Sequence, residues 1–186
     1  MQLPRSAHTS RPWRIHEITR DFRLDSVWAT PTPGGPDDFP RLVELIAAWD
    51  PSRSPSRAVR ALSAIRLRAG GLLGLDQPDP RVPTLRERLP EDLRAAPRGP
   101  RLDVAPSVPL YLLEDEWAVE IPIKAIQAVL HLGWVPDGAG GYRGQLATLV
   151  KRHGLLGSAY MAAIAPVGQP VFYPRVMRQI ERDWRI

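Results

Sequence analysis

The chain has 186 residues, of which 44% are hydrophobic, and this is enough for one domain with a substantial core. It contains no cysteine, which excludes disulfide scaffolds, thiolate metal sites and cysteine nucleophiles. The net charge of +5 comes from arginines spread among acids rather than from a basic stripe, so we expect no nucleic acid partner.

The N-terminal part is predicted to form an extended segment followed by two helices. Residues 1–10 lack the apolar stretch of a secretory signal, so we expect a cytoplasmic protein. Trp13 to Thr30 is typical of extended chain, and Pro31 to Pro36 predicts a turn. Asp37 or Asp38 then begins a helix that runs to about Trp49. A second helix starts at Ser54–Pro55 and weakens at the glycines near residue 70.

Residues 77–109 form an irregular, proline-rich stretch within the single domain that we expect for residues 1–186. Thr84 and Glu87 have the spacing of a capping box, which predicts a helical turn. Arg101 to Ala105 could add a strand. So long an irregular stretch is either a lid or binding loop, or a flexible excursion.

Four antiparallel strands are predicted next. Leu110 to Glu114 and Trp117 to Ile121 are β-prone, and Tyr142 to Val150 returns after the glycine-rich loop 136–141. The remaining strand is predicted at residues 126–134, between the second and third of these stretches. There, apolar residues at every second position alternate with Gln127, Val129, His131 and Gly133. This period of two is typical of a half-buried strand whose second face meets solvent.

The C-terminal stretch predicts a long helix that is interrupted by prolines. Residues 154–174 carry no charge, but Pro166 and Pro170 argue against a transmembrane span. Apolar residues recur every four positions from Phe172 to Trp184, so we expect an ordered helix to about Asp183, packed on the sheet.

This order of elements resembles the helix-grip arrangement of START-like proteins, in which a curved antiparallel sheet wraps around a long C-terminal helix. The predicted fold class is therefore α+β. The resemblance implies a cavity between the sheet and that helix.

The chain also resembles an uncharacterised actinobacterial family of domains of unknown function. The matching stretches are Arg57 to Leu75 (RAVRALSAIRLRAGGLLGL), Tyr111 to Val135 (YLLEDEWAVEIPIKAIQAVLHLGWV) and Leu155 to Tyr173. Related domains occur behind short-chain-dehydrogenase-like nucleotide-binding domains. The resemblance implies a START-like fold and no assigned activity.

Two side chains are candidates for catalysis. Asp115 would face an apolar row, with a raised pKa, if the strand ran straight through it, whereas a turn would leave Glu114, Asp115 and Glu116 solvated. We favour the turn. His131 is expected to be partly exposed on the second face, but a shift of one residue in register would point it into the cavity as an acid or base.

Three functions follow from these patterns. The favoured hypothesis is binding of a small apolar molecule by side chains on facing elements: Trp117, Leu130, Trp134, Tyr142, Tyr160 and Ile164. The alternative is that these side chains fill a core and leave no cavity. The second is a START-like cyclase or dehydratase that uses Asp115 or His131. The third, implied by the family resemblance, is an accessory module of an oxidoreductase. The four histidines lack the spacing of a zinc site, and we expect neither a metal nor a cofactor.

Overall fold

The computed structural model describes residues 1–72, 82–103, 106–167 and 172–185, with the backbone alone for 62, 65–67, 69, 70, 72 and 163–167. The helices are α1 Ser6–Thr9, α2 Ile15–Ile18, α3 Phe39–Ala47, α4 Arg57–Leu72, α5 Glu91–Ala95, α6 Gly154–Val167 and α7 Tyr173–Trp184. Single 3₁₀ turns occupy Pro36–Asp38, Pro51–Arg53 and Leu85–Arg88. The strands are β1 Arg23–Ala29, β2 Val108–Leu112, β3 Glu116–Pro122, β4 Ile126–Pro136 and β5 Tyr142–Arg152.

The strands form one antiparallel sheet in the order β1-β5-β4-β3-β2. The meander from β2 to β5 confirms the predicted strands and the loop at residues 136–141, and β1 returns to pair with β5. Arg101–Asp103 is not a strand, and Val104 and Ala105 lie outside the described residues. The α+β class is therefore correct, with an open sheet of five strands.

The first face of the sheet carries the alternating apolar row of β4 and packs against α3 and α7. Its core contains Trp117, Leu132, Trp134 and Leu146 from the strands. From α7 come Val176, Met177, Ile180 and Trp184, and this helix is ordered to Trp184 as expected. The predicted terminal helix, interrupted by prolines, is described in two parts, α6 and α7, and residues 168–171 between them lie outside the described residues.

The second face is also covered, which contradicts the half-buried strand predicted for β4. Side chains from the N-terminal segment and from residues 85–93 bury it, among them Trp13, Ile15, Leu85 and Leu93. Residues 85–93, which lie in the stretch predicted to be irregular, thus contribute side chains to the core on the second face. The Leu85–Arg88 turn confirms the helical turn expected after Thr84. Trp13 lies so close to Gly133 that a Cβ there would be 2.6 Å from the indole ring. Any larger residue at 133 would displace it.

The N-terminal segment is partly helical rather than extended. α2 turns at Ile15–Ile18, where Ile15 and Ile18 reach the second-face core. Thr19 closes the turn by donating its hydroxyl to the Ile15 carbonyl at 2.7 Å. The prediction of extended chain from Trp13 was therefore wrong up to Ile18, because two buried isoleucines three residues apart suit a helical turn as well as a strand.

Candidate functional site

A cavity of about 470 Å³ lies between the first face of the sheet and the helices that cover it. The sheet contributes Ala128, Leu130, Leu146 and Thr148 to its wall. It opens here because Ala128 and Thr148 are small, whereas Trp117 and Trp134 fill the same layer further along the strands. A change from large to small side chains within one packed layer leaves space that the backbone cannot close.

Aromatic rings form the opposite wall. Trp49, just after α3, meets Phe172 edge to face with ring centroids 5.8 Å apart. Tyr173 stacks on Trp28 at 5.3 Å, and its hydroxyl lies 3.1 Å from Thr148 Oγ1. The indole N–H of Trp49 is buried and has no hydrogen-bond partner among the described residues. The wall is thus apolar with a few polar groups, as in most small-molecule sites.

Polar side chains occur at one side of the cavity, where it meets solvent. Asp50 accepts hydrogen bonds from the Ser52 backbone N–H and hydroxyl, both at 2.8 Å, and these bonds lower its pKa. Asp103 also lines the cavity, and its side chain is exposed to solvent. Its backbone N–H donates to the Ala47 carbonyl at 3.1 Å. These residues form a charged and polar part of the cavity lining.

The proposed ligand-binding residues are divided by the structure. Leu130 and Tyr160 line the cavity. Trp117 and Trp134 belong to the solid part of the first-face core, and Tyr142 packs on it by stacking on Trp134. The side chain of Ile164 lies outside the described residues.

Neither catalytic candidate lines the cavity. Asp115 is exposed in the turn between β2 and β3, where the Leu113 N–H bonds to the Glu116 carbonyl at 2.7 Å. The turn that we favoured is therefore present. His131 is on the second face, as the register predicts, but it is fully buried and not partly exposed. The prediction failed because the cover of the second face comes from chain segments far away in sequence.

His131 belongs to a buried polar network centred on Glu116, which sequence reasoning had wrongly expected to be solvated. The Glu116 carboxylate accepts the backbone N–H groups of Arg14 and Ile15, both at 2.9 Å. It also accepts the hydroxyl of Tyr111 and lies 3.0 Å from His131 Nε2. Because Arg14 and Ile15 begin α2, the carboxylate satisfies the free N–H groups of that helical turn.

The network ends at a second buried histidine. His131 Nδ1 lies 3.0 Å from His8 Nε2, and the protonation of the two rings sets which nitrogen donates. Burial, with the charges of His131 and His16 next, lowers the pKa of His8 to about 3. Burial would raise the pKa of Glu116, but bonds and charge from His131, with the other donors, lower it overall. The network therefore holds an ionised Glu116 beside a neutral His8.

Glu120 repeats this arrangement four residues further along β3. It accepts the Thr84 hydroxyl at 2.6 Å and the Leu85 N–H at 3.0 Å, where the Leu85–Arg88 turn begins. Gln127 donates to its other oxygen at 2.5 Å. The spacing of Glu116, Ala118 and Glu120 on one face of β3 was visible in the sequence, but acids in that pattern usually indicate solvent.

The chemistry of the two regions differs. In the second-face network Glu116, His131 and His8 are all buried, so the network fastens the covering segments to the sheet and offers no opening for a substrate. The cavity, in contrast, is lined in part by Asp103, whose side chain is exposed to solvent. Within the described part of the chain, no cluster of His, Asp and Glu is suited to a metal ion, and no helix is long and apolar enough to cross a bilayer.

Comparison with known proteins gives a family and no neighbour. No curated protein and no solved structure matches this chain. The family model described as "Protein of unknown function (DUF2867)" matches residues 18–175. This range includes the sheet, both buried glutamates and the cavity wall except Val176 and Ile180, while His8 and Trp13 lie before it. Because the match spans most of the sequence, the chain belongs to the DUF2867 family.

Proposed function

We propose that this protein binds a small, largely apolar molecule in the cavity between the sheet and α7. The observation that carries the proposal is the cavity itself, at about 470 Å³, with aliphatic side chains on one wall and aromatic rings on the other. Sites for small ligands commonly have about 300–1,000 Å³ and a few polar anchors. Thr148, Tyr173 and the Trp49 indole N–H would be the anchors here.

The helix-grip relationship is part of the same proposal. A strand, two helices, an antiparallel meander and terminal helices follow one another, and the cavity lies between the sheet and α7. This order supports a START-like fold, in which a cavity often lies between the sheet and the last helix.

The enzyme alternative receives less support. Asp115 is in an exposed turn and His131 is on the face opposite the cavity, so its two named residues do not meet a ligand there. The accessory-module hypothesis stays a prediction, since no contact of the described residues bears on it.

The test fills the cavity from the sheet side. N-phenyl-1-naphthylamine, a neutral dye whose fluorescence rises in apolar sites, is titrated into the protein and into Ala128→Leu. We expect the protein to bind the dye and the variant to lose at least about tenfold in affinity, because the new side chain occupies the space beside Leu130. Ala139→Leu, in the exposed loop between β4 and β5, is the matched control and should bind normally.

Urea unfolding of the same variants separates an open cavity from a filled core. Overpacking a filled core costs about 1–3 kcal/mol, whereas filling a void leaves the free energy of unfolding unchanged or raises it. The proposal would be contradicted if Ala128→Leu and Ala139→Leu bound the dye with equal affinity. A large loss of stability in Ala128→Leu would also contradict it.

A further inference from the structure

The exposed large apolar side chains of the described residues, apart from Met1, are two neighbouring leucines at the start of α6. Leu155 is 90% exposed and Leu156 is 48% exposed. Large apolar side chains exposed side by side are a common sign of a binding surface. We call the surface formed by Leu155, Leu156 and the adjacent turn 122–125 the leucine tip.

The leucine tip is held in place by backbone contacts. The His153 N–H bonds to the Ala125 carbonyl at 3.1 Å, which joins the start of α6 to the turn between β3 and β4. Gly157 packs on the same carbonyl so closely that a Cβ would lie 2.3 Å from it. Gly154 has φ +61°, in the left-handed region, where the chain leaves β5 and enters α6. The leucines are therefore presented by a fixed corner of the fold.

Positive charge borders the leucine tip. Lys124 in the turn and Arg152 at the end of β5 are both exposed. The segments that build this corner, residues 121–126 and 150–160, contain no aspartate or glutamate. Lys151 is not counted, because its ammonium group pairs with Asp21 at 2.7 Å.

We propose that the leucine tip docks on an anionic lipid surface. Exposed leucines that enter the interface, bordered by cations that face anionic headgroups, are the combination that binds peripheral proteins to membranes. Two leucines, with two cations that form no ion pair within the described residues, give a shallow and reversible contact. The tip also lies at the cavity end of the fold, since Tyr160 of α6 and Ile126 after the turn both line the cavity. A docked protein would thus hold its cavity near the bilayer, where apolar molecules are dissolved.

Co-sedimentation with vesicles tests this docking. One set of vesicles is phosphatidylcholine alone and the other is phosphatidylcholine and phosphatidylglycerol in equal parts. We expect binding to the anionic vesicles only, weakened by added salt because exposed charges are screened. Leu155→Ser/Leu156→Ser should reduce the vesicle affinity by roughly tenfold or more, and Lys124→Gln should reduce it by a smaller factor.

Controls separate docking from loss of structure and from the proposed cavity function. Leu155→Ser alone changes the more exposed side chain, so its circular dichroism and urea midpoint should match those of the unchanged protein. Arg178→Gln, an exposed cation on α7, should bind vesicles normally. Binding of N-phenyl-1-naphthylamine without vesicles should be the same in the leucine variants, so failure of docking and failure of ligand binding are distinguishable.

Three results would overturn the docking proposal. They are no binding to either vesicle, binding that the double leucine variant retains, and self-association that depends on the leucines and occurs without vesicle binding. The last result would assign the leucine tip to a protein contact.

Discussion

His8 should make the protein sensitive to acid through the second-face network. The pKa of His8 falls from 6.5 to about 3 on folding because the ring is buried next to His131 and His16. Between these two values the unfolded chain binds a proton that the folded protein excludes. His8 therefore does not reduce the free energy of unfolding above about pH 6.5. The reduction that it causes grows as the pH falls from 6.5 toward 3.

The magnitude follows from the two pKa values. On going from about pH 7.5 to pH 5, His8 should lower the free energy of unfolding by about 2 kcal/mol, and at pH 4 by about 3 kcal/mol. Glu116, with its lowered pKa, adds to the loss at lower pH in the same direction. Tyr111 stays protonated throughout, since burial and the charge of Glu116 raise its pKa.

Urea unfolding followed by tryptophan fluorescence measures this effect. His8→Leu removes the titrating ring, so its loss of stability between pH 7.5 and pH 5 should be smaller than that of the unchanged protein by about 2 kcal/mol. His153→Gln, which replaces a partly exposed histidine outside the network, is the matched control. Equal pH dependence in His8→Leu and the unchanged protein would refute the reasoning, whatever the stability of the variant at neutral pH.

Two further substitutions test the contacts that hold the fold together. Glu116→Gln should lower the free energy of unfolding by roughly 1.5–3 kcal/mol, because the N–H groups of α2 lose a charged acceptor. Asp115→Asn, its exposed neighbour, should stay within about 0.5 kcal/mol, and similar effects in urea melts of the two would contradict the assigned network. Trp184→Ala should cost about 3–5 kcal/mol, since the indole is buried and donates to the Pro33 carbonyl at 2.9 Å. Arg182→Ala on the exposed side of α7 should have little effect, and an unchanged urea midpoint in Trp184→Ala would mean that α7 does not stabilise the fold.

The sequence predicted the strands well because their signal is local. Alternation along β4 correctly assigned every second residue from Ile126 to Trp134 to one face of the sheet. It assigned the residues between them, including His131, to the other face. The same alternation could not reveal whether the second row meets solvent. That depends on Trp13 and Leu85, which come from segments that β4 contacts only in the folded chain.

The sequence predicted a cavity between the sheet and the last helix, but it did not predict most of the residues that line the cavity. Facing apolar elements suggested a cavity, and Leu130 and Tyr160 do line it. Trp117 and Trp134 do not, because the largest rings pack against α3 and α7 and leave space beside the smaller side chains. Glu116 was missed since its partners are backbone N–H groups, which no side-chain pattern encodes.

The pairing of β1 with β5 has a consequence for how the chain folds. Arg23 lies opposite Val150, so the first strand can join the sheet only after almost all the intervening sequence has been made. The β2–β5 meander is joined by short turns and can form earlier, with little loss of chain entropy on closing each loop. The long-range pairing of β1 should then be the slow step, as in other proteins dominated by contacts between distant residues. During synthesis, β1 would remain without its partner strand until β5 has been made, and the growing chain would be open to wrong pairing at that strand.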